Sequence, residues 1–405
     1  MRTLEKIIII NIAISCILNQ YAASVSTYGL LCSLGLTFYV LFKRKQIKID
    51  KRFLDLFLIL SVQQLCCVIL FDLDFIACLK QVLTMLIITI ITSISFEVNS
   101  FKYLYKVMKI VGIIATIAVI FQAFQLYVLH QSIAPITLFD VSEEIVNWSQ
   151  STRPMGFFSE VQVYCSSMLP LFAFSIQNKD YKLSIFIGLG FLLSGSSLGI
   201  LSLPFVIAYY LLKDDVVSNK IKGLIIGICI IAVIMFLSLS AFSEARDKIL
   251  SIFSEFGNYK SLMMTNKYAY TNYLRLFKAF DTYNAYPLLE KVIGTGCHNT
   301  LNYLNNSSIT VPWYSLWNTK DVMAAYYTTG FGVFIECGII GAISYYFFFY
   351  SNYRKANSEG KIILLLIVFQ GFLTQFFYNG LFAYYILLFY AFNGKKNCRT
   401  VTIRI

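Results

Sequence analysis

Three cationic side chains in two long polar segments are the residues of this chain best suited to chemistry. Arg153 is the only Lys or Arg of residues 130–160 and lies seven positions before a long apolar run. Thr271, Arg275 and Lys278 recur at i, i+4 and i+7, which is typical of one face of a helix. A guanidinium binds phosphate through two parallel hydrogen bonds, so these cations are candidate ligands for a phosphate or diphosphate. The alternatives are contact with lipid headgroups for Arg153 and a solvated helix face for the other two.

Glu336 and His298 are the candidates for handling a proton. Glu336 lies two turns inside an otherwise uncharged apolar run. An ionisable side chain is costly there and is therefore a candidate for function. His298 follows the turn-forming sequence Gly294-Thr-Gly296-Cys in the second polar segment. Either side chain could orient or deprotonate an attacking hydroxyl, although a single histidine in a loop more often has no catalytic role.

The sequence predicts neither a metal nor a cofactor. Two histidines in the whole chain argue against a structural zinc site. Asp72-Leu-Asp74 matches the D-x-D pattern that some membrane transferases use for a divalent metal, but its place in a short turn favours solvated helix caps. Eight of the ten cysteines lie within apolar runs, and Cys297, in the second polar segment, has no evident disulfide partner. No nucleotide-binding fingerprint is present.

The composition is that of an integral membrane protein built from helices. Hydrophobic residues make up 58% of the chain, charged residues 13%, and the mean hydropathy is +0.69. Soluble domains contain about 45–50% apolar and about 25% charged residues. The net charge of +12 does not indicate nucleic-acid binding, because the Lys and Arg residues lie at the ends of apolar runs rather than in one patch.

Twelve membrane spans are predicted from apolar runs, with about 20 residues needed for one span. Three long runs, 7–42, 183–212 and 362–393, have cationic residues at both ends and polar or turn-forming residues in the middle. Each is predicted to be a hairpin of two helices, because a single helix would place one Lys cluster outside. The predicted spans are 5–20, 23–42, 53–71, 75–96, 109–129, 161–177, 183–195, 197–212, 223–242, 328–350, 361–377 and 380–393.

The distribution of Lys and Arg predicts the side of each loop, since positive charge marks the cytoplasmic side. Both termini are predicted to be cytoplasmic, in a bacterial inner membrane. Segments 130–160 and 243–327 are predicted to be extracytoplasmic loops, the second with short amphipathic helices such as 267–280. The whole of 1–405 is predicted to be a single integral membrane domain. The predicted inner segments are 43–52, 102–109, 179–182, 213–222, 354–361 and 395–404.

The order of these segments resembles the O-antigen polymerase (Wzy-type) and O-antigen ligase superfamily of bacterial envelope glycosyltransferases. The family's R-x-x-G-x-F-x-E entry to a middle span is similar to the sequence from Arg153 through Gly156 to Glu160. Its Ser-rich turn within an apolar run is similar to Ser194–Ser197, although an Arg that often follows in the family is Leu198 here.

Two further motifs of the family lie in the second half of the chain. An outer-loop helical Arg followed by a Gly-x-Gly turn is similar to Arg275 followed by Gly294 and Gly296. A span that begins E-x-G-hydrophobic-hydrophobic-G is similar to Glu336 and Gly338 with their neighbours. Glycines in such a span would also allow close packing of helices.

The resemblance implies an all-α polytopic membrane protein of the GT-C type, with about 12 transmembrane helices and two long extracytoplasmic loops. It implies a polysaccharide (O-antigen or capsule) polymerase acting at the outer face of the inner membrane without nucleotide sugars or metal. Such an enzyme transfers a growing undecaprenyl-diphosphate-linked glycan onto a new lipid-linked repeat unit. The expected partners are that lipid-linked oligosaccharide, the lipid bilayer, a flippase and a chain-length regulator.

Two alternatives stay open at this point. A lipid-linked oligosaccharide flippase or other transporter would be expected to bury more charged residues along a central path and to have shorter outer loops. An O-antigen ligase is the alternative within the family. The ligases have a His about two turns before the Glu, where this chain has Tyr326-Tyr327-Thr328, and this difference counts against a ligase.

Overall fold

A computed structural model describes most of the chain as helices, with the longer gaps within residues 139–152 and 214–326. The residues that it describes are 3–21, 26–134, 136–138, 153–213, 223, 227, 246, 278–297, 299–309, 327–394 and 398–404. The helices are α1 (Thr3–Leu18), α2 (Tyr28–Arg44), α3 (Lys51–Phe71), α4 (Phe75–Ser95), α5 (Phe101–Tyr127), α6 (Val161–Gln177), α7 (Tyr181–Leu193), α8 (Ser197–Lys213), α9 (Lys278–Ala285), α10 (Leu288–Ile293), α11 (Thr300–Asn306), α12 (Thr329–Tyr353), α13 (Ser358–Leu373) and α14 (Gly380–Asn393).

Helices occupy every predicted span that the structure describes. Within those residues, α3, α4, α5 and α12 are long and apolar enough to cross a membrane by length and composition. The predicted span 223–242 lies outside the described residues apart from two isolated positions. The protein is therefore mostly helical, with helices suited to a membrane. The total of twelve spans and the GT-C architecture stay predictions.

Each of the three long apolar runs is divided into two helices, as the sequence predicts. The first divides after α1, the second at residues 194–196 between α7 and α8, and the third at residues 374–379 between α13 and α14. The two helices of the second hairpin pack against each other, and so do those of the third. Polar and turn-forming residues in the middle of an overlong run therefore mark real helix ends here.

Residues 267–277 of the predicted amphipathic helix lie outside the described residues, and α9 covers its end. This helix runs five residues past the predicted boundary at 280, to Ala285. It ends where Tyr286 precedes Pro287, because a residue before proline disfavours the helical conformation.

Two compact units make up the chain. Unit 1 comprises Met1–Ile8, Leu30–Asn99 and Tyr270–Ile405, and unit 2 comprises Ile9–Gly29 and Ser100–Ala269. The single membrane domain predicted from the sequence stays a prediction.

A ring of five helices forms the core of unit 1. In this ring α3 packs on α4, α4 on α14, α14 on α13, α13 on α12, and α12 on α3. Almost every residue of α14 is buried, as expected for a helix that is apolar on all sides. The short helices α9 and α10 pack against α12. In unit 2, α5, α6, α7 and α8 pack together as a bundle.

A short two-stranded sheet in unit 1 corrects the prediction of an all-α protein. The strands β1 (Gln46–Asp50) and β2 (Thr400–Arg404) pair antiparallel, with Gln46 opposite Arg404. Asp50, at the end of β1, is fully buried, and its Oδ2 accepts a hydrogen bond from the Tyr390 hydroxyl at 2.9 Å. Sequence periodicity missed the strands, because each is only five residues long and its partner is distant in sequence.

Polar contacts join segments that are predicted to lie on the same side of the membrane. The β1–β2 pairing joins the first inner loop to the C-terminal segment. In unit 1, Arg44 and Glu97 form an ion pair at 2.5 Å. In unit 2, Lys109 and Asp180 form one at 2.6 Å. These contacts agree with the predicted grouping of loops, while the identity of the side that they face stays a prediction.

Helix caps account for the D-x-D sequence. Asp74 is the N-cap of α4, and its carboxylate accepts hydrogen bonds from the N–H groups of Ile76 at 2.8 Å and Ala77 at 3.3 Å. Asp72 ends α3 with φ 49°, in the left-handed region. Asp74 therefore caps a helix with its side chain, and Asp72 ends a helix through its backbone N–H, which donates to the Val68 carbonyl.

Cysteine labelling tests the predicted sides. In a chain whose exposed Cys32 is replaced by Ser, Ser132→Cys and Asn305→Cys are expected to react with a membrane-impermeant maleimide added outside spheroplasts. Lys102→Cys and Lys355→Cys are expected to react only after permeabilisation. All four positions are exposed, so protection reports the side of the membrane rather than burial. Labelling of position 355 in intact spheroplasts would reverse the assignment of the α12–α13 connection.

Candidate active site

The helix α12 is broken at Gly338, two residues after Glu336, the acidic residue within this predicted span. Gly338 has φ 60° and ψ −173°, well outside the helical region, so the helix consists of two halves. The break leaves carbonyl groups at the end of the first half without their usual partners in the next turn. Within a membrane such groups must be paired inside the protein.

The segment 294–297 supplies two of the missing donors. The Thr295 N–H donates to the Ile335 carbonyl at 3.0 Å. The Gly296 N–H donates to the Glu336 carbonyl at 2.9 Å. The Gly-x-Gly turn and the Glu-x-Gly motif, recognised separately in the sequence, are thus parts of one hydrogen-bonded structure.

Glycine is required on both sides of this contact. Gly294 has φ 77°, and a Cβ atom there would lie 2.5 Å from the Glu336 carbonyl oxygen and from the Gly338 nitrogen. A Cβ atom on Gly338 would in turn overlap the backbone of Val292 and Gly294. In the sequence, close packing of two helices is the alternative to a family-motif role for Gly338. Its actual role is to break one helix and admit a loop.

Two adjacent glutamines of α3 complete the hydrogen bonding. Gln63 Nε2 donates to the Ile293 carbonyl and, at 3.1 Å, to the Glu336 carbonyl. Gln64 Oε1 accepts from the Cys297 N–H at 2.7 Å. Both side chains are buried. Sequence reasoning missed them, although two consecutive amides in the middle of an apolar run are the signal that could have found them.

Glu336 is half-buried and lies among phenol and thiol groups. Burial raises the pKa of Tyr327 and of Tyr378, and the negative charge of Glu336 raises both pKa values further. Burial also raises the pKa of Cys297, to which the charge of Glu336 contributes. Both tyrosines therefore stay protonated at neutral pH and can donate hydrogen bonds beside a carboxylate.

Glu290, a buried carboxyl group, lies four residues before Gly294 of the Gly-x-Gly turn. The Tyr303 hydroxyl donates to Glu290 Oε1 at 2.5 Å, and Oε2 has no hydrogen bond within the described part of the chain. The Thr295 hydroxyl lies 3.3 Å from the Tyr286 hydroxyl and 3.1 Å from the Thr300 hydroxyl. The sequence did not single out these residues, because the local segment Leu-Leu-Glu-Lys resembles a solvated helix face.

Arg153, in unit 2, begins a segment whose backbone is fixed by α5. Gln122 Oε1 accepts hydrogen bonds from the Met155 N–H at 2.9 Å and the Gly156 N–H at 2.7 Å. Gly156 has φ 65°, and a Cβ atom there would lie 3.0 Å from Val119. The motif glycine is therefore needed for a left-handed turn pressed against a helix.

Residues 157–159 of this motif are held by Gln20, which follows α1 in the chain. Gln20 donates to the Phe157 carbonyl and accepts from the Ser159 N–H. Glu160 is the N-cap residue of α6 and is exposed. Its carboxylate accepts a hydrogen bond from Gln162 Nε2 at 2.5 Å. The Glu160 side chain makes no capping hydrogen bond to α6, and the supporting role expected from the family motif stays a prediction.

Arg153 lies at the same end of unit 2 as the Ser-rich turn. Its half-buried guanidinium is within electrostatic reach of the Tyr127 hydroxyl. That hydroxyl donates to the Leu193 carbonyl at 3.4 Å, next to the turn 194–197. Tyr127 therefore lies near both the Arg153 segment and the start of the Ser-rich turn.

Several predicted site residues lie outside the described residues. They include Arg275 and His298, and also the side chain of Lys278, whose backbone begins α9. Their predicted roles stay predictions. Within the described ranges, no group of three or more His, Cys, Asp and Glu residues could hold a metal ion.

No protein-family model matches the chain, and no curated protein matches it. The residues and geometry of the two motif regions, each within its own unit, are therefore the basis for its function.

Substitution of Gly338 tests the broken helix. Gly338→Ala is expected to lower the free energy of unfolding by about 2–4 kcal/mol, from left-handed strain and backbone overlap. Thermal unfolding in detergent measures the effect. Gly35→Ala is the matched control, because Gly35 is exposed in α2 and a Cβ atom there meets nothing within 4 Å. Equal melting temperatures for the two variants would contradict the break at Gly338.

Proposed function

We propose that this protein is a polysaccharide polymerase that acts on lipid-linked repeat units at the outer face of a bacterial inner membrane. It would transfer a growing undecaprenyl-diphosphate-linked glycan onto a new lipid-linked repeat unit. The observation that carries the proposal is the hydrogen-bonded meeting of the Gly294–Gly296 turn with the broken helix at Glu336 and Gly338. The sequence motifs of the polymerase and ligase superfamily fall on the two sides of this contact.

The broken helix supports a catalytic site rather than a purely structural contact. A discontinuous helix presents the ends of its two halves at membrane depth, and membrane proteins use such ends for binding polar ligands. The break carries backbone strain and needs Gln63, Gln64 and a whole loop segment to satisfy it. Local strain of this kind clusters at functional sites.

Glu336 has the surroundings required of a group that receives a proton. It lies next to the break, half-buried, with Tyr327 and Tyr378 within reach of its charge. In the proposed reaction, Glu336 orients or deprotonates the attacking sugar hydroxyl, a role for which His298 is the alternative. The protonated phenols would hold the carboxylate and the sugar by donating hydrogen bonds.

The leaving group is a lipid diphosphate, so the reaction needs charge stabilisation rather than an external energy source. Arg153 is proposed as a ligand of this diphosphate, because its segment is fixed on both sides by glutamine amides. A guanidinium that is positioned in advance loses little entropy on binding. Arg275 is proposed as a second ligand of the diphosphate, with Lys278 assisting, as the sequence predicts.

Deletion of the gene distinguishes a polymerase from a flippase. Without a polymerase, single repeat units should still be exported and attached to the acceptor, which gives a product one unit long. Without a flippase, lipid-linked units should accumulate in the inner leaflet, and no product should form. Glycan gels of the deletion strain, with fractionation of the lipid-linked precursor, measure both. Absence of the one-unit product together with trapped precursor would contradict the polymerase proposal.

Point substitutions separate the two proposed roles. Glu336→Gln keeps the shape of the side chain and removes the base, so polymerisation is expected to fall by about 10²–10⁴-fold. Arg153→Ala should reduce it by about ten- to a hundredfold, the value of one charge-assisted contact. Arg153→Lys should restore part of it, because Lys supplies the charge without the planar pair of donors. Product length at matched protein abundance is the measurement.

Controls for these substitutions come from the predicted inner side. Glu359→Gln, in the first turn of α13, and Arg354→Ala, at the exposed end of α12, change the same side-chain types away from both motif regions. Both are expected to leave product length unchanged. Long chains of normal abundance from Glu336→Gln or Arg153→Ala would remove that residue from the proposed mechanism.

A further inference from the structure

Two cysteine sulfurs meet at the contact between the Gly-x-Gly turn and the broken helix. Cys297 Sγ and Cys337 Sγ lie 3.6 Å apart, and both residues are completely buried. They are 40 residues apart in the sequence, which explains why the sequence offered no partner for Cys297. The sulfurs are in van der Waals contact across two segments that are already joined by backbone hydrogen bonds.

The backbone on each side fixes this meeting. Thr295 and Gly296 donate to the carbonyls of Ile335 and Glu336 at 3.0 and 2.9 Å. The next residue of each segment is the cysteine, so the two Cys residues are placed side by side by the same contact.

Their immediate neighbours keep the two sulfurs in place. Gln64 accepts from the Cys297 N–H at 2.7 Å and donates to the Cys297 sulfur at 3.3 Å. On the other side, a Cβ atom on Gly341 would overlap the Cβ atom of Cys337, so the glycine leaves room for that side chain.

We propose that Cys297 and Cys337 form a disulfide bond that fastens the Gly-x-Gly turn to α12 as the protein folds. A disulfide needs a sulfur–sulfur distance of about 2.05 Å, so the sulfurs must approach by rotation of their side chains. The segment around Cys297 belongs to the predicted extracytoplasmic loop, and disulfides form and persist in that compartment. The proposal rests on this predicted side and not on the polymerase activity.

The reaction is a thiol–disulfide exchange with a protein disulfide as the oxidant. One thiolate attacks the oxidant's disulfide, and the second thiolate then attacks the mixed disulfide. Two S–H bonds break and one S–S bond forms between Cys297 and Cys337. The oxidant receives the two electrons and leaves as two thiols, which take up the two protons.

The thiol–disulfide exchange must take place before segment 294–297 packs against α12. Burial raises the pKa of the Cys297 thiol, and the neighbouring Cys337 raises it further, so little thiolate exists once the segment is packed. Exchange requires the thiolate and access to it. The bond therefore forms while the segment 294–297 is still open, and afterwards it is shielded from reductants.

Counting thiols in the full chain tests the proposal. Cells that express the protein are quenched in acid, and the denatured chain is labelled with a polyethylene-glycol maleimide before and after reduction. The chain has ten cysteines, and the disulfide predicts that two of them label only after reduction. Peptide mapping by mass spectrometry should find one cross-linked pair that contains Cys297 and Cys337.

Cysteine variants and a strain without disulfide formation test whether the disulfide joins Cys297 to Cys337. In Cys337→Ser, Cys297 loses its partner, so labelling should be the same before and after reduction. Cys16→Ser, at a buried thiol of unit 2, is the control and should keep the difference of two labels. Expression in cells that lack the envelope's disulfide-forming enzyme should abolish that difference in the unchanged chain.

Two results would overturn the proposal. One is equal labelling of the unchanged chain with and without reduction. The other is a cross-link from Cys297 to Cys67, the third thiol at this contact, which hydrogen-bonds to the Gly294 carbonyl at 3.4 Å. The reactivity of Asn305→Cys from outside reports the side of the loop independently, so an error in sidedness is distinguishable from an error in pairing.

Discussion

Backbone groups within a membrane must find hydrogen-bond partners inside the protein, and the site around α12 depends on this constraint. The break at Gly338 exposes carbonyls that a continuous helix would satisfy itself. Segment 294–297 fits only because it brings N–H groups to the carbonyls of Ile335 and Glu336. The carbonyl groups at the break need N–H donors, which explains why segment 294–297 lies against α12. The two backbones approach so closely that Gly294 and Gly338 must lack a Cβ atom. The position of the carboxylate among phenols follows from both.

Glutamine side chains satisfy irregular backbone in the same way in each unit. An amide side chain both donates and accepts, so a single residue can satisfy an irregular stretch of backbone that has both kinds of open group. Gln63 and Gln64 do this for the turn beside Glu336. Gln122 and Gln20 do it for the segment that carries Arg153. Amides on packed helices, such as Gln63 and Gln122, hold a loop in a defined position, which a catalytic residue requires.

Local patterns predicted the local structure well and the long-range contacts poorly. Apolar runs, their polar midpoints and flanking charges predicted the helices and the breaks between them, because these features act over a few residues. The joining of Gly296 to Glu336 and the role of Gln63 depend on partners far away in sequence, which periodicity does not encode. The pairing of 46–50 with 400–404 was missed for the same reason. Motif resemblance marked the glycines at Gly294 and Gly338 without revealing that they touch.

The β1–β2 pairing imposes an order on biosynthesis. The strand β1 leaves the ribosome before α3, whereas β2 follows every helix of unit 1. Until residues 400–404 have been synthesised, the edge of β1 has no strand partner, and until Tyr390 has been synthesised, the Asp50 carboxylate lacks the hydroxyl that donates to it. The helices between the two strands can therefore insert into the membrane before the sheet on the predicted cytoplasmic side of unit 1 has formed. The strand β2 therefore completes the sheet only after all the helices that lie between the two strands have been synthesised.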